Sequence, residues 1–249
     1  MTIRYELNPP RVEGYTQKQI DTISQRILSI SSVCDGIHLT DSVLGIPRIS
    51  PFEIAKLVRK YDKNIKITAS LRVRDRNLNE IEQIVKESNE FLDGILVLMG
   101  DKSQNNSDES GLFPSQVVKH LLTHDINGNC ELFLSIPNNP NFEKIQKKIS
   151  AKPIGFFTQV IHSKSEIERI FDYLSPKGFS LIPCIIFPSD KNTKSAEFLN
   201  LDCSNYQDNI VDFIKDIEKL TGDVLISSPN DFKGAQASLS KIASCLNHY

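Results

Sequence analysis

Gly94-Ile95-Leu96-Val97-Leu98-Met99-Gly100-Asp101 is the stretch on which the fold turns. Its apolar centre lacks the alternation of a half-wet strand, and it reads as a strand covered on both faces by helices. Comparable runs occupy residues 3–7, 36–39, 65–71, 131–136, 154–161, 179–187 and 223–226, so that with 94–99 there are eight. Helical patterns lie between them. Thr16 with Gln19, Ser50 with Glu53, and Ser163 with Glu166 each have the spacing of a capping box, and Pro51 presets the first helical φ. Behind these starts, Ile20, Ile23 and Ile27, then Ile54, Leu57 and Val58, then Ile167, Ile170, Phe171 and Leu174 each draw one apolar face. Similar faces are carried by Ile81, Ile84 and Val85, by Ile210, Phe213, Ile214 and Ile217, and by Leu239, Ile242 and Leu246, with shorter helices expected after Pro114 and Asn141.

The alternation runs through all 249 residues without a linker rich in Gly, Ser or Pro. Eight units of about 30 residues fit a single (β/α)8 TIM barrel domain over residues 1–249. A doubly wound open sheet is the alternative, and the Gly-rich phosphate turn that would favour it is missing after the first strand. The 29 basic and 31 acidic residues leave a formal charge of −2, so no basic field marks nucleic acid or anionic lipid as the partner. No apolar run approaches membrane-spanning length and no leader precedes residue 8, which makes a cytoplasmic protein the expectation. The five cysteines are odd in number and never form a CxxC pair, so free, mostly buried thiols are expected and no metal site. Oligomeric state is open, a homo-oligomer included.

In such barrels chemistry sits at the C-terminal ends of the strands. Here those ends carry Glu6, Thr40-Asp41, Arg72 to Arg76, Gly100-Asp101, Asn138-Asn139, Thr158-Gln159 and Ser227-Ser228. Each is also what a solvated loop would carry.

Several of these ends, in order, resemble the methylenetetrahydrofolate reductases. Tyr5-Glu6-Leu7-Asn8-Pro9-Pro10 is similar to the opening strand of that family, and Asp35-Gly36-Ile37-His38-Leu39-Thr40-Asp41 to its second. Pro47-Arg48-Ile49-Ser50 resembles the start of its second helix, Arg74-Asp75-Arg76-Asn77 the RDRN run of one branch, Leu96 to Asp101 its Gly-Asp strand, and Phe156-Phe157-Thr158-Gln159 its Thr-Gln signature. The likeness covers roughly residues 3–165. It implies reduction of a 5,10-methylene-tetrahydrofolate, or a related pterin, to the 5-methyl form, with NAD(P)H as electron source and a flavin (FAD) as immediate donor. The bridging carbon becomes electrophilic only when a proton on the leaving nitrogen opens the ring to an iminium ion. The resemblance makes Glu6 that acid, and Asp101 the carboxylate that stabilises the cation and touches substrate and cofactor. It makes Gln159 the reader of the pterin edge and places Thr40, Lys148 and Arg74 toward the cofactor. For Lys148 a solvated helix position is the competing reading; for Arg74 to Arg76 it is pairing among themselves, with Asn77 capping the next helix.

Departures cut flavin contacts more than substrate contacts. Ser70 stands where the family has a histidine, Met99 precedes Gly-Asp where some members have arginine, and Pro137-Asn138-Asn139-Pro140-Asn141 replaces an aromatic and acidic stretch. Three readings follow: a flavin-dependent reductase, a reductase passing hydride directly from a nicotinamide, and a pterin-binding barrel or partner subunit without turnover. The polar segment 102–111 is either a lid or disordered.

Overall fold

A computed structural model describes residues 2–13, 16–102 and 109–246. Its eight strands, β1 (Thr2–Leu7), β2 (Gly36–Leu39), β3 (Lys66–Arg72), β4 (Gly94–Leu98), β5 (Glu131–Ile136), β6 (Gly155–Val160), β7 (Ser180–Ile186) and β8 (Asp223–Ser227), close into one all-parallel barrel. β1 pairs with β2 on one side and β8 on the other. The helices between them are α1 (Gln17–Ser31), α2 (Pro51–Tyr61), α3 (Leu78–Ser88), α4 (Pro114–Thr123), α5 (Gln146–Ile149), α6 (Lys164–Leu174), α7 (Thr193–Phe198), α8 (Ile210–Thr221) and α9 (Phe232–Leu246). This is the (β/α)8 TIM barrel, and the open sheet is excluded. The strand limits differ from the apolar runs by one or two residues, mostly because apolar side chains continue into the first loop position.

Two faces account for the continuous apolar strands. Ile3, Tyr5 and Leu7 of β1, Ile37 and Leu39 of β2, and Ile95 and Val97 of β4 belong to the buried layer shared with the helices. The alternate positions Leu96, Phe133, Phe157, Ile182, Cys184 and Leu225 form a separate cluster inside the barrel. Each buried Ile or Leu contributes about 1.5–3 kcal/mol, and the helices earn their place mainly through such faces. Space inside is tight. A Cβ on Gly94 would lie 2.8 Å from Cε2 of Phe133, so the smallest residue is required opposite that ring. Deeper in, Arg4 meets Asp223 through two nearly parallel bonds, Nη2 to Oδ2 at 2.6 Å and Nε to Oδ1 at 2.9 Å, with the side chains 4% and 16% exposed.

The helix starts vary from their expected form. Gln19 returns to the Thr16 amide at 3.0 Å, and Asn77 with Glu80 makes a reciprocal box. Ser50 and Ser163 cap with their own hydroxyls, accepting from the Phe52 and Glu166 amides. Glu166 instead reaches forward to Arg169 at 3.6 Å, so one half of that box is traded for a surface ion pair. Cys34, Cys130, Cys184 and Cys203 are free thiols. Among the described residues no helix is long and apolar enough to cross a membrane, and no cluster suits a metal ion.

Candidate functional site

A cavity of about 390 Å³ opens at the C-terminal mouth of the barrel and gathers residues from all eight strands or the loops that follow them. Glu6, Thr40, Asp101 and Gln159 all line it; Arg74 and Lys148 do not. Roomier hollows exist on the outer surface, among them one of about 490 Å³ under α7, but none of them collects strand-end residues in this way.

The inward column of β1 places Glu6 at the cavity floor. Its Oε1 accepts the Ser227 hydroxyl at 2.7 Å, and burial raises its pKa above the ordinary carboxylate value despite that bond. The β1 to β2 register sets Glu6 beside His38. Both ring nitrogens of His38 face hydroxyls, Nδ1 to Thr68 at 2.9 Å and Nε2 to Ser70 at 3.0 Å. Burial, helped by the Arg4 charge, pushes the imidazole down to about 3, so it is neutral, and its ring lies 5.0 Å from that of Phe157. Cys184 completes this inner wall, its thiol held well above the usual range by burial and by the neighbouring Glu6. A thiol so raised is not a nucleophile.

Higher up, the Thr40 hydroxyl donates to Oδ1 of Asn8 at 2.6 Å, tying the first two strand ends together. Asp101 is exposed. Its Oδ2 accepts the Leu44 amide at 2.8 Å, and its carbonyl accepts Nη2 of Arg72 at 2.9 Å. Arg72, 2% exposed, also donates to the Ser42 carbonyl at 3.2 Å, so one guanidinium clasps the ends of β2 and β4. In that clasp Ser42 (φ 48°) and Leu44 (φ 59°) both hold left-handed backbone, which costs an ordinary side chain of order 1 kcal/mol or more. Gly100 holds φ +83°, and a Cβ there would meet Arg72 Nε at 2.6 Å. Gly100→Ala is therefore expected to destabilise the fold by about 1–3 kcal/mol and to displace Arg72, read as a lower denaturation midpoint together with weakened ligand binding.

Gln159 owes its position to a bulge. Phe157 pairs with Ile182 but Val160 with Cys184, so β6 spends three steps against two on β7. The Thr158 hydroxyl fills the interrupted ladder by accepting the Cys184 amide at 2.9 Å. Gln159 is left exposed at the mouth with no hydrogen-bond partner among the described residues, its carboxamide free to offer a donor and an acceptor side by side.

The arginines at and after the end of β3, and Lys148 behind β5, are engaged. Arg76 pairs with Asp41 at 3.0 Å, Arg72 with Asp75 at 3.4 Å, and Arg74 with Glu109 while donating to the Gly100 carbonyl. The Lys148 ammonium donates to the Ser135 carbonyl, and burial lowers its pKa. The lining thus holds three carboxyl groups, Glu6, Asp41 and Asp101, and no Lys or Arg among the described residues. Such a set suits a flat ligand with N–H donors or a developing positive charge. It offers no cation within the lining itself to the diphosphate of a flavin dinucleotide. Segment 103–108, where a lid or disorder was expected, lies outside the described residues.

His38, Cys184 and Ser135 were not singled out in the sequence, and Ser227 was read only as a polar strand end. The signal for His38 was available: it stands two residues before Thr40, and so on the same face of β2.

No protein-family model matches the chain, and no curated protein matches it in sequence. Solved structures do. A Clostridium thermocellum protein, described as binding two copies of 5-methyl-5,6,7,8-tetrahydrofolic acid, superposes with a TM-score of 0.67 at 17% identity, over 99% of this chain and 95% of that one. The oxygenating constituent of 3,6-diketocamphane monooxygenase from Pseudomonas putida, solved with FMN, gives 0.61 at 10% identity, over 98% and 97%. An Aquifex aeolicus protein gives 0.54 at 10% identity, over 98% and 92%. At these identities the likeness is one of fold: the chain is a TIM barrel of a shape shared by folate-binding and flavin-binding proteins.

Proposed function

We propose that the barrel binds a reduced pterin of the tetrahydrofolate class in its mouth and reduces the 5,10-methylene bridge to a 5-methyl group. The observation that carries this reading is Glu6: a buried carboxyl with a raised pKa, held by Ser227 at the floor of a cavity whose rim presents Asp101 and the free carboxamide of Gln159. Gln159 and Asp101 would meet the amino and amide edge of the pterin. Glu6 would deliver its proton to the leaving nitrogen as the carbon–nitrogen bond breaks, and the resulting iminium cation faces ionised Asp101. A hydride from a dihydronicotinamide co-substrate then adds to the methylene carbon, leaving the oxidised nicotinamide, and Glu6 recovers its proton from water. No step is routed through a flavin, since the described lining offers its diphosphate no cation.

A binding protein without turnover is the second reading, favoured by a lining that itself offers no cation to a nucleotide co-substrate. One experiment separates the two. Purified protein titrated calorimetrically with 5-methyl-tetrahydrofolate should bind saturably, and NADH or NADPH should be oxidised when 5,10-methylene-tetrahydrofolate is added without FAD or FMN. Absence of binding overturns the folate assignment. Binding without oxidation, with or without flavin, leaves the binding protein.

A further inference from the structure

Arg11 and Arg48 stand side by side with no carboxylate paired to either among the described residues. They belong to the loops that follow β1 and β2, the two loops tied together by the Asn8 to Thr40 bond at the cavity wall. The loops run antiparallel there: Val12 N donates to the Pro47 carbonyl at 3.2 Å, Ile49 N to the Pro10 carbonyl at 2.9 Å, and Arg11 faces Arg48 between them. That is the non-hydrogen-bonded kind of antiparallel pair, in which opposing side chains approach most closely and share one face. Like charges so placed repel. Burial and the charge of Arg11 lower the pKa of Arg48 accordingly.

Neither guanidinium has a carboxylate within ion-pair distance among the described residues, although Glu13 and Glu53 are close in sequence. Arg48 gives Nη1 to the Pro9 carbonyl at 2.6 Å, which fixes its plane, while its Nε is buried without a partner. Every strand-end arginine on the β3 side of the mouth, by contrast, faces an acid. A fixed, half-buried guanidinium beside an exposed one, with repulsion left uncompensated, is the arrangement expected where a bound anion supplies the missing charge.

We propose that Arg11 and Arg48 form an anion site on the rim that receives the carboxylates of the glutamyl tail of the ligand whose pterin occupies the mouth. The existence of the site stands on the arginine pair; its assignment to a glutamyl tail rests on the folate reading above. The cavity divides the labour: its carboxylates and carboxamide read a ring that donates hydrogen bonds, and the rim cations read the tail that accepts them.

The test uses the full chain labelled with ¹⁵N-arginine, following the Nε–H resonances during titration with 4-aminobenzoyl-L-glutamate, glutarate and inorganic phosphate. Resonances assigned through Arg11→Gln and Arg48→Gln should shift saturably with the two dicarboxylates, 4-aminobenzoyl-glutamate binding the tighter. Arg11 has no side-chain bond among the described residues, so Arg11→Gln keeps the test open if Arg48→Gln folds poorly. In calorimetry, wild type should prefer 5-methyl-tetrahydrofolate over tail-free 5-methyl-tetrahydropterin by about five- to tenfold, a preference that Arg11→Gln reduces and the double variant abolishes. No resonance shift with any anion overturns the site, whether or not folates bind. Saturation by phosphate more tightly than by the dicarboxylates overturns the glutamyl assignment in favour of a phosphorylated ligand. Shifts with the dicarboxylates in a protein that binds no tetrahydrofolate sustain the anion site and sink the folate reading instead.

Discussion

Glu6→Gln is expected to slow methylene-tetrahydrofolate-dependent NAD(P)H oxidation by about 10² to 10⁴, the usual worth of a positioned general acid, while leaving 5-methyl-tetrahydrofolate binding nearly unchanged. The carboxamide keeps the shape of the side chain and a partner for Ser227, but has no proton to give. The wild-type rate should fall as pH rises through the raised pKa of Glu6, because only the protonated form is competent; the Gln variant should lose that limb of the profile. Stability carries the same sign. A carboxyl whose folded pKa lies above its unfolded value contributes stability that is present below the unfolded pKa and is lost as pH rises through the folded one. Glu6→Gln should therefore melt higher than wild type at alkaline pH, and calorimetric scans across pH read this directly. Turnover within a few-fold of wild type would remove Glu6 from the acid role.

The second large effect concerns the interior below the site. Asp223→Ala leaves the Arg4 guanidinium, 4% exposed, without its two-point partner, and should cost about 3–5 kcal/mol by urea denaturation. The carboxyl of Asp223 is itself raised above its usual value, burial outweighing the help from Arg4, so the pair is costly to bury even when intact. Arg4→Met combined with Asp223→Leu should consequently recover most of the loss, since two apolar residues carry no such penalty. A single variant within about 1 kcal/mol of wild type would show that water reaches Arg4 and that the interior is wetter than its exposure indicates.

The barrel was legible because its strands are apolar on both faces, and residues 94–99 alone announce that condition. The positions of Glu6, Thr40 and Asp101 around one cavity follow once the strands are placed in order, since each lies at or just beyond a strand end, whereas that of Gln159 needs the bulge in β6. What stayed hidden depends on register. Whether Cys184 points inward or toward the helices is decided by pairing between strands distant in sequence, and it sits in a run too uniformly apolar to draw notice. The fates of the arginines were hidden for a related reason: Arg76 finds Asp41 and Arg74 finds Glu109 across 35 residues each, while Arg11 and Arg48 face each other and pair with no acid among the described residues. Motif spacing carries no information about such partners, and so Arg74 could be read toward a cofactor from sequence when its guanidinium is occupied by Glu109.

The bulge in β6 gives the mouth a single-codon vulnerability. Thr158 and Gln159 together occupy the one step opposite Pro183, and Val160 already has its inward place against Cys184. Deleting Thr158 would leave that place filled and the barrel closed, yet would turn the carboxamide outward to the helix layer. The place of Gln159 in the lining is thus held by one inserted residue, and a chain one residue shorter in this strand would keep the barrel while turning that carboxamide away from the cavity.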